Sequence, residues 1–458
     1  MNVRIHTIAF VACLLFFSNV NQSLMGQEKT VKNDMNSTAG LSALQLTLDM
    51  IASPRTTLSE RVSFLKNLRE ETIQGRISKP LTHETEKEWS NAFWAAGLIR
   101  ERTALVRNAL AQAFLTWEKR GASFQRAALE ATAGLFPCDF SSEMRAILGK
   151  TNNPKLFAMA TYYLDKITTM PEERSAFVSL IENTFPEWGE NPILFMLHHD
   201  LSKPRTETIK NRPPLLSLLS FSFKPGCPVL FSIQRLDRRY PGIAVVRGVN
   251  GAFIRQRDGS LFNVSHLALS LSNMPGTITN GNTPQGVFTV RGTGYARNVF
   301  IGPTPYLHSK IPFEASPAEF FHDSTFRDKD WSPDLYELLL PEDWRTYIPI
   351  WETFYAGKAG RSAMLTHGTT INPAYYQGEP CYPHTPSLGC LCAKEFWSPE
   401  TGRAVMSDHL ALLKAFLKDG NPCGFLVVVE IDDQKRPVTI DDIIIEILAA
   451  EQIRIGKK

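Results

Sequence analysis

Ala363 to Cys392 reads AMLTHGTTINPAYYQGEPCYPHTPSLGCLC, and the fold and the chemistry of the chain are both read outward from it. The apolar run Ala363-Met364-Leu365 predicts a short strand that delivers Thr366-His367-Gly368-Thr369. A loop rich in Pro, Gly and Tyr follows, and the stretch closes on Ser387-Leu388-Gly389-Cys390-Leu391-Cys392. A histidine at the end of a strand and a cysteine in a glycine turn are the parts of a thiol nucleophile. The thiolate is the attacking species, and a neighbouring imidazole lowers the thiol pKa or takes its proton. Gly389, just before the cysteine, permits a sharp turn and predicts backbone N–H groups at Gly389 and Cys390 facing a developing oxyanion.

These residues resemble the L,D-transpeptidase catalytic domain family, whose signature is a His-Gly pair followed by Ser-x-Gly-Cys. His367-Gly368 and Ser387-Leu388-Gly389-Cys390 match it in order and type. A second family element, Thr-Pro-x-Gly-x-Phe-x-Val, stands upstream as Thr283-Pro284-Gln285-Gly286-Val287-Phe288-Thr289-Val290. The chain departs from the pattern in three places. Cys392 stands where members carry Arg or Asn, Leu388 where many carry His, and the loop from His367 to Ser387 is longer than usual. The resemblance covers roughly residues 242–431. It implies a β-rich catalytic domain, Cys390 as nucleophile and His367 as base, with Gly368, Ser387 and Gly389 in support. The residue after the histidine orients the imidazole in related enzymes, and Gly368 has only its carbonyl to offer. Ile311-Pro312-Phe313-Glu314 holds a Pro-aromatic pair of the kind that related enzymes carry near the substrate groove.

Other readings of the same residues are weaker. Papain-like and related cell-wall cysteine peptidases place the cysteine before the histidine in the chain, the reverse of the order here. His384 is the rival base, but it lies between Pro383 and Pro386, where a surface or substrate-contacting role is expected. Cys381, His384, Cys390 and Cys392 are zinc-type ligands, yet C-x2-H-x5-C-x-C fits no familiar knuckle. Arg291-Gly292-Thr293-Gly294 lacks the third glycine and the βαβ context of a dinucleotide loop. No metal or cofactor is therefore expected.

The chain has 458 residues, too many for one ordinary core, so two or three domains are expected. A hydrophobic content of 43% and a charged content of 21% describe a globular protein. A net charge of +3 gives no electrostatic footprint for nucleic acid. Arg4 and the apolar run from Thr7 to Phe17 read as a signal peptide over residues 1–26, since the run is too short to span a bilayer. Phe10-Val11-Ala12-Cys13 bears a faint resemblance to a lipoprotein acylation site, and a cleaved form is preferred. Asn36-Ser37-Thr38 is a formal sequon. Export, to a bacterial periplasm or cell envelope, permits disulfides, with Cys381, Cys392 and Cys423 as candidates. Cys390 must stay unpaired to work.

Residues 27–212 carry helical periodicity. Val106, Ala109, Leu110, Ala113, Phe114 and Trp117 draw one apolar face, and Phe124, Ala127, Ala128 and Ala131 draw another. Asn153-Pro154 and Pro171-Glu172-Glu173 suit helix starts. A HEAT-like helical layer and an irregular bundle are equally good readings. Residues 213–433 are β-rich, with strands at Val229–Gln234, Ile243–Val249 and Phe425–Ile431, and a hairpin turn at Asp258-Gly259. Ser407 caps one further helix, and 434–458 reads as a charged tail.

The fold class is thus α+β multidomain, an all-α half followed by a β-rich half that is L,D-transpeptidase-like. The implied activity is an acyl transfer through a Cys390 thioester on a peptidoglycan tetrapeptide stem, with release of the terminal D-Ala and cross-linking to an amine. Hydrolysis by the same route, an L,D-carboxypeptidase, is the first alternative. A non-catalytic wall-binding protein with oxidised or zinc-bound cysteines is the second. The stem peptides are the expected partners, and a protein partner of the helical half is left open.

Overall fold

The computed structural model describes residues 43–455, Thr169 excepted. The signal-like segment, Cys13 and the sequon lie outside the described residues. The chain is a mixed α+β protein with an eight-stranded closed barrel.

Helices occupy the first half: α1 (Leu58–Asn67), α2 (Glu86–Ile99), α3 (Ala104–Leu115), α4 (Ala122–Leu135), α5 (Ser141–Leu148), α6 (Pro154–Asp165), α7 (Pro171–Thr184) and α8 (Pro192–Ser202). Local chemistry sets their starts. Asn153 accepts from the N–H groups of Lys155 and Leu156, and Asn191 accepts from those of Ile193 and Leu194. In each helix a proline follows the cap, where its missing N–H costs nothing. The apolar faces meet in one core that includes Trp89, Phe93, Leu110, Phe124, Phe157 and Leu197.

The strands are β1 (Val229–Gln234), β2 (Gly242–Arg247), β3 (Asn263–Leu267), β4 (Gly286–Gly294), β5 (Tyr306–Lys310), β6 (Thr366–His367), β7 (Leu391–Ala393), β8 (Glu395–Trp397), β9 (Ala404–Ser407) and β10 (Cys423–Glu430). The barrel closes in the order β1-β10-β4-β5-β6-β7-β3-β2, and β8-β9 is a separate pair. Alternation along the ladders separates two sets of side chains. Leu230, Val246, Phe288, Leu307, Leu391 and Leu426 share one cluster with α11 (Asp408–Phe416), through Leu412, Leu413 and Phe416. Phe231, Val245, Val287, Phe425 and Val427 share the opposite cluster with α9 (Leu215–Ser220), α10 (Glu352–Lys358) and α12 (Ile444–Ile455). Paired residues keep one face, so His367, opposite Cys392, lies on the face that excludes Thr366 and Leu391.

Two boundaries differ from the sequence reading. Within the segment read as a tail, 434–458, the described residues to 455 are not one: Ile443 and, on α12, Ile447 and Ala450 are fully buried against α9 and the barrel. Leu46 and Ile51, assigned to the helical half, pack instead with Trp397, Ala404 and Leu410. Ser53 N–H donates to Gly402 O at 2.8 Å, fixing that stretch to the β8-β9 pair.

Buried charge joins the halves. Arg205, just past α8, pairs with Glu352 at 3.1 Å, Asp200 at 3.4 Å and Glu430 at 3.9 Å, while Arg238 meets Glu430 at 2.9 Å. Glu352 also accepts the N–H groups of Gly276 and Gln285, both at 2.9 Å.

Ile447→Ala should cost about 2–5 kcal/mol in urea unfolding, as expected for a cavity in a closed core. Ile445→Ala, one turn face away and 76% exposed, should change stability by less than about 0.5 kcal/mol.

Candidate active site

The turn that carries Cys390 is held by its own side chains. Gly389 has φ +111°, a conformation that L side chains rarely adopt, and a Cβ there would overlap the Arg361 guanidinium. Ser387 Oγ accepts the Gly389 N–H at 3.0 Å and donates to Cys390 O at 2.8 Å. Thr283 Oγ1 donates to Gly389 O at 2.9 Å, so the upstream Thr-Pro element buttresses the turn. The Gly389 N–H is therefore committed to Ser387, contrary to the expectation that it faces an oxyanion.

Cys390 is partly exposed, and its Sγ accepts the Leu365 N–H at 3.3 Å. A hydrogen bond aimed at sulfur favours the thiolate. Sγ also lies 3.8 Å from Ala363 O, which is the acceptor for the protonated thiol. Ala363, at φ +60°, is fastened by its N–H to Glu314 Oε1 at 2.9 Å. The Pro-aromatic stretch thus acts on the site through Glu314, while Phe313 is exposed and packs edge-on to Phe354.

His367 stands on β6 beside β7 in a parallel pair, Thr366 opposite Leu391 and His367 opposite Cys392. Cys390 lies two residues before Cys392, in the turn that leads into β7, with its Sγ at the Leu365 N–H that precedes β6. The imidazole is buried, and its Nδ1 meets Gly368 O at 2.5 Å. A carbonyl only accepts, so Nδ1 carries the proton and Nε2 keeps its lone pair. Burial pushes the His367 pKa down to about 4, and the Gly368 carbonyl works against that.

Behind this pair sits Glu395, a residue that motif reading missed. Its Oε2 accepts the Thr369 N–H at 2.9 Å, and Oε1 accepts the Thr304 and Ser407 hydroxyls at 2.6 Å each. Any Cβ on residue 368 would overlap this carboxylate, so Gly368 is required by close approach. Burial raises the Glu395 pKa to about 7, against the pull of its three donors. Cys392, beside it, is buried with Sγ 3.8 Å from Gly368 O. Burial, and then Glu395, hold its thiol well above the ordinary range, so it stays protonated.

His384 is buried rather than on the surface. Its loop folds back against the segment after β3, with Leu271 N–H donating to Ser387 O at 2.9 Å and Ser387 N–H donating to Leu269 O at 3.2 Å. Desolvation pushes its pKa down to about 3. His266 and His409 are buried as well; His266 Nδ1 meets Ser232 Oγ at 2.9 Å and His409 Nε2 donates to Pro305 O at 2.7 Å. Burial takes each down to about 3, and for His266 the charges of His409, His384 and His367 add to it.

No disulfide joins the described cysteines, Cys138, Cys227, Cys381, Cys390, Cys392 and Cys423, the three considered for disulfides included. Among the described residues no three His, Cys, Asp or Glu side chains are placed to hold a metal ion.

The chain matches no protein-family model, no curated protein and no solved structure.

The four buried histidines have folded pKa values below the ordinary 6.5, so the unfolded chain binds more protons than the folded one as pH falls below 6.5. Their contribution to stability is full above 6.5 and is withdrawn on acidification. Ring carbon NMR of histidine-labelled protein at about pH 5 should show all four imidazoles neutral, below the ordinary titration midpoint.

Proposed function

We propose that this chain is a cysteine acyltransferase of the L,D-transpeptidase type, with a helical half of HEAT-like layering ahead of the catalytic half. The observation that carries the reading is the parallel β6-β7 pair. It joins the strand that carries His367, whose Nδ1–H is committed to Gly368 O, to the strand that the partly exposed Cys390 leads into, and this supports reading the two as base and nucleophile.

In the reading we favour, the resting pair is a thiol and a neutral imidazole, because burial disfavours the imidazolium. Nε2 of His367 takes the Cys390 proton as sulfur attacks the carbonyl before the terminal D-Ala of a tetrapeptide stem. The carbon–sulfur bond forms, and the carbon–nitrogen bond to D-Ala breaks as His367 returns the proton to the leaving amine. An amine of a second stem, or water, then cleaves the thioester. The Gly389 N–H is held by Ser387 and so is withheld from the oxyanion, where one such donor is worth about 3 kcal/mol. The thiol and imidazole supply nucleophile and proton shuttle, so the step draws on no cofactor.

A carbapenem should add its mass to the intact chain, and Cys390→Ala should abolish the adduct. His367→Ala should slow its formation by about 10²-fold or more, whereas His384→Ala should leave most of it, provided circular dichroism shows each variant folded. If the His384 change proves the more damaging, the base is misassigned.

The acylation rate should be lost in acid around about pH 4, where Nε2 becomes protonated, rather than near the ordinary histidine value. Quench-flow mass measurement across that range reads the limb directly.

A further inference from the structure

Two cysteines outside the candidate site meet where the first and last strands of the barrel begin. Pro228 runs into β1, Cys423 opens β10, and the two strands pair in parallel with Val229 opposite Phe425. The contact continues backwards from there. Phe425 N–H donates to Pro228 O at 3.0 Å, and a Cβ on Gly424 would overlap that same carbonyl. Two residues before Val229 stands Cys227, and two before Phe425 stands Cys423. Asn421 ties the same spot from outside the ladder. Its Nδ2 donates to Gly226 O at 2.7 Å and lies 3.9 Å from Cys227 Sγ, while its Oδ1 accepts the Cys423 N–H at 2.9 Å. Cys227 and Cys423 therefore oppose each other across one rung.

Side chains two residues apart share one face of a strand. Val229 and Phe425 belong to the cluster on the α9 side of the barrel, and Cys227 packs against that cluster, so both sulfurs leave the ladder on the same side. Neighbouring strands lie about 4.8 Å apart, inside the span of roughly 4.4–6.8 Å that a disulfide bridges between Cα atoms. Both residues are partly exposed, whereas Cys381 and Cys392 are buried. Burial raises the Cys227 pKa, Lys224 works against it, and the Cys423 sulfur adds to it. In the barrel order β10-β4-β5-β6-β7, three strands stand between this pair and the strand that Cys390 leads into.

We propose that Cys227 and Cys423 are a disulfide pair, which oxidation joins into a bond pinning the entry of β1 to the start of β10. The oxidant is itself a disulfide, of the glutathione or thiol-oxidoreductase class. The thiolate of one cysteine attacks it, forming a mixed disulfide and releasing one thiol. The second cysteine then attacks the first protein sulfur and releases the other thiol. Two electrons pass to the oxidant, and the two protons of the protein thiols end on the two released thiols. The bond closes a loop holding β1 to β9 and α11, so it restricts the unfolded chain over most of the barrel. It is independent of the acyl-transfer reading, because neither sulfur belongs to the candidate site.

The test takes the full chain, reduces it with dithiothreitol, and exchanges it into glutathione disulfide under native conditions. Remaining thiols are blocked with iodoacetamide, and the digest is mapped by mass without reduction. A cross-linked peptide pair joining Cys227 to Cys423 should appear in the monomer and vanish when dithiothreitol is added back. The melting temperature of the oxidised chain should exceed that of the reduced chain by about 5 °C, and Cys227→Ser and Cys423→Ser should each remove that gain. The peptide map is read on the unaltered chain, so the pairing is decided even where a variant fails to fold. The proposal is overturned by glutathione on both cysteines with no bond between them, by a bond from either to another cysteine, or by a disulfide-linked dimer. A joined pair whose reduction leaves the melting temperature unmoved overturns the pinning role.

Discussion

The parallel contact between β6 and β7 is the constraint on which the site depends. It is short, Thr366 with Leu391 and His367 with Cys392, and it joins two parts of the chain separated by a long loop. A pair this small contributes little by itself, so it must be held from both sides. On one side β5 and β3 continue the barrel past it, through Leu307 against Thr366 and Leu267 against Cys392. On the other, Glu395 gathers Thr369, Thr304 and Ser407, three otherwise distant points of the chain, around one carboxylate. A carboxyl so deeply buried is tolerable because each oxygen has a donor. The imidazole inherits its orientation from that arrangement, since Gly368 is pressed between His367 and Glu395.

The junction between the halves obeys a different rule. Arg205, Glu352, Glu430, Arg238 and Asp200 are a buried network of ion pairs. Such networks add little net stability over apolar packing, but removing one member leaves a stranded charge that costs about 3–5 kcal/mol. Their value lies in register. Glu352 accepts the backbone of Gly276 and Gln285, on either side of the loop whose Gly281 and Asn282 carbonyls receive Arg361. The placement of the helical half and the shape of the Cys390 turn are therefore set by the same few groups.

What could be read beforehand followed from local chemistry. The Asn153-Pro154 pair announced α6 and Pro171-Glu172-Glu173 announced α7, Ser407 announced α11 by accepting the Leu410 N–H at 2.8 Å, and the continuous apolar run from Phe425 announced β10. The turn at Asp258-Gly259 is present, with Gly259 at φ +84°. The strand position of His367 and the glycine turn before Cys390 were legible because an apolar run and a glycine mark them. Glu395 and Arg361 were not, because their partners lie far away in sequence and neither belongs to a motif, and the stretch that holds Glu314 drew notice for its Pro-aromatic pair rather than for the carboxylate. The fate of His384 was misread for a related reason: prolines on either side signal a loop, but whether a loop lies on the surface is decided by what it folds against. Likewise the apolar run near Ile443 was too short to declare a partner until α9 and the barrel wall supplied one.

The segment at Ser53, bound to Gly402, gives the molecule a second tie between its halves besides the passage from α8 into the barrel. A body joined at one point can swing; a body clasped at two, on either side of a shared face, resists opening about a single hinge. The helical half is thus a fixed jaw of the barrel rather than a door.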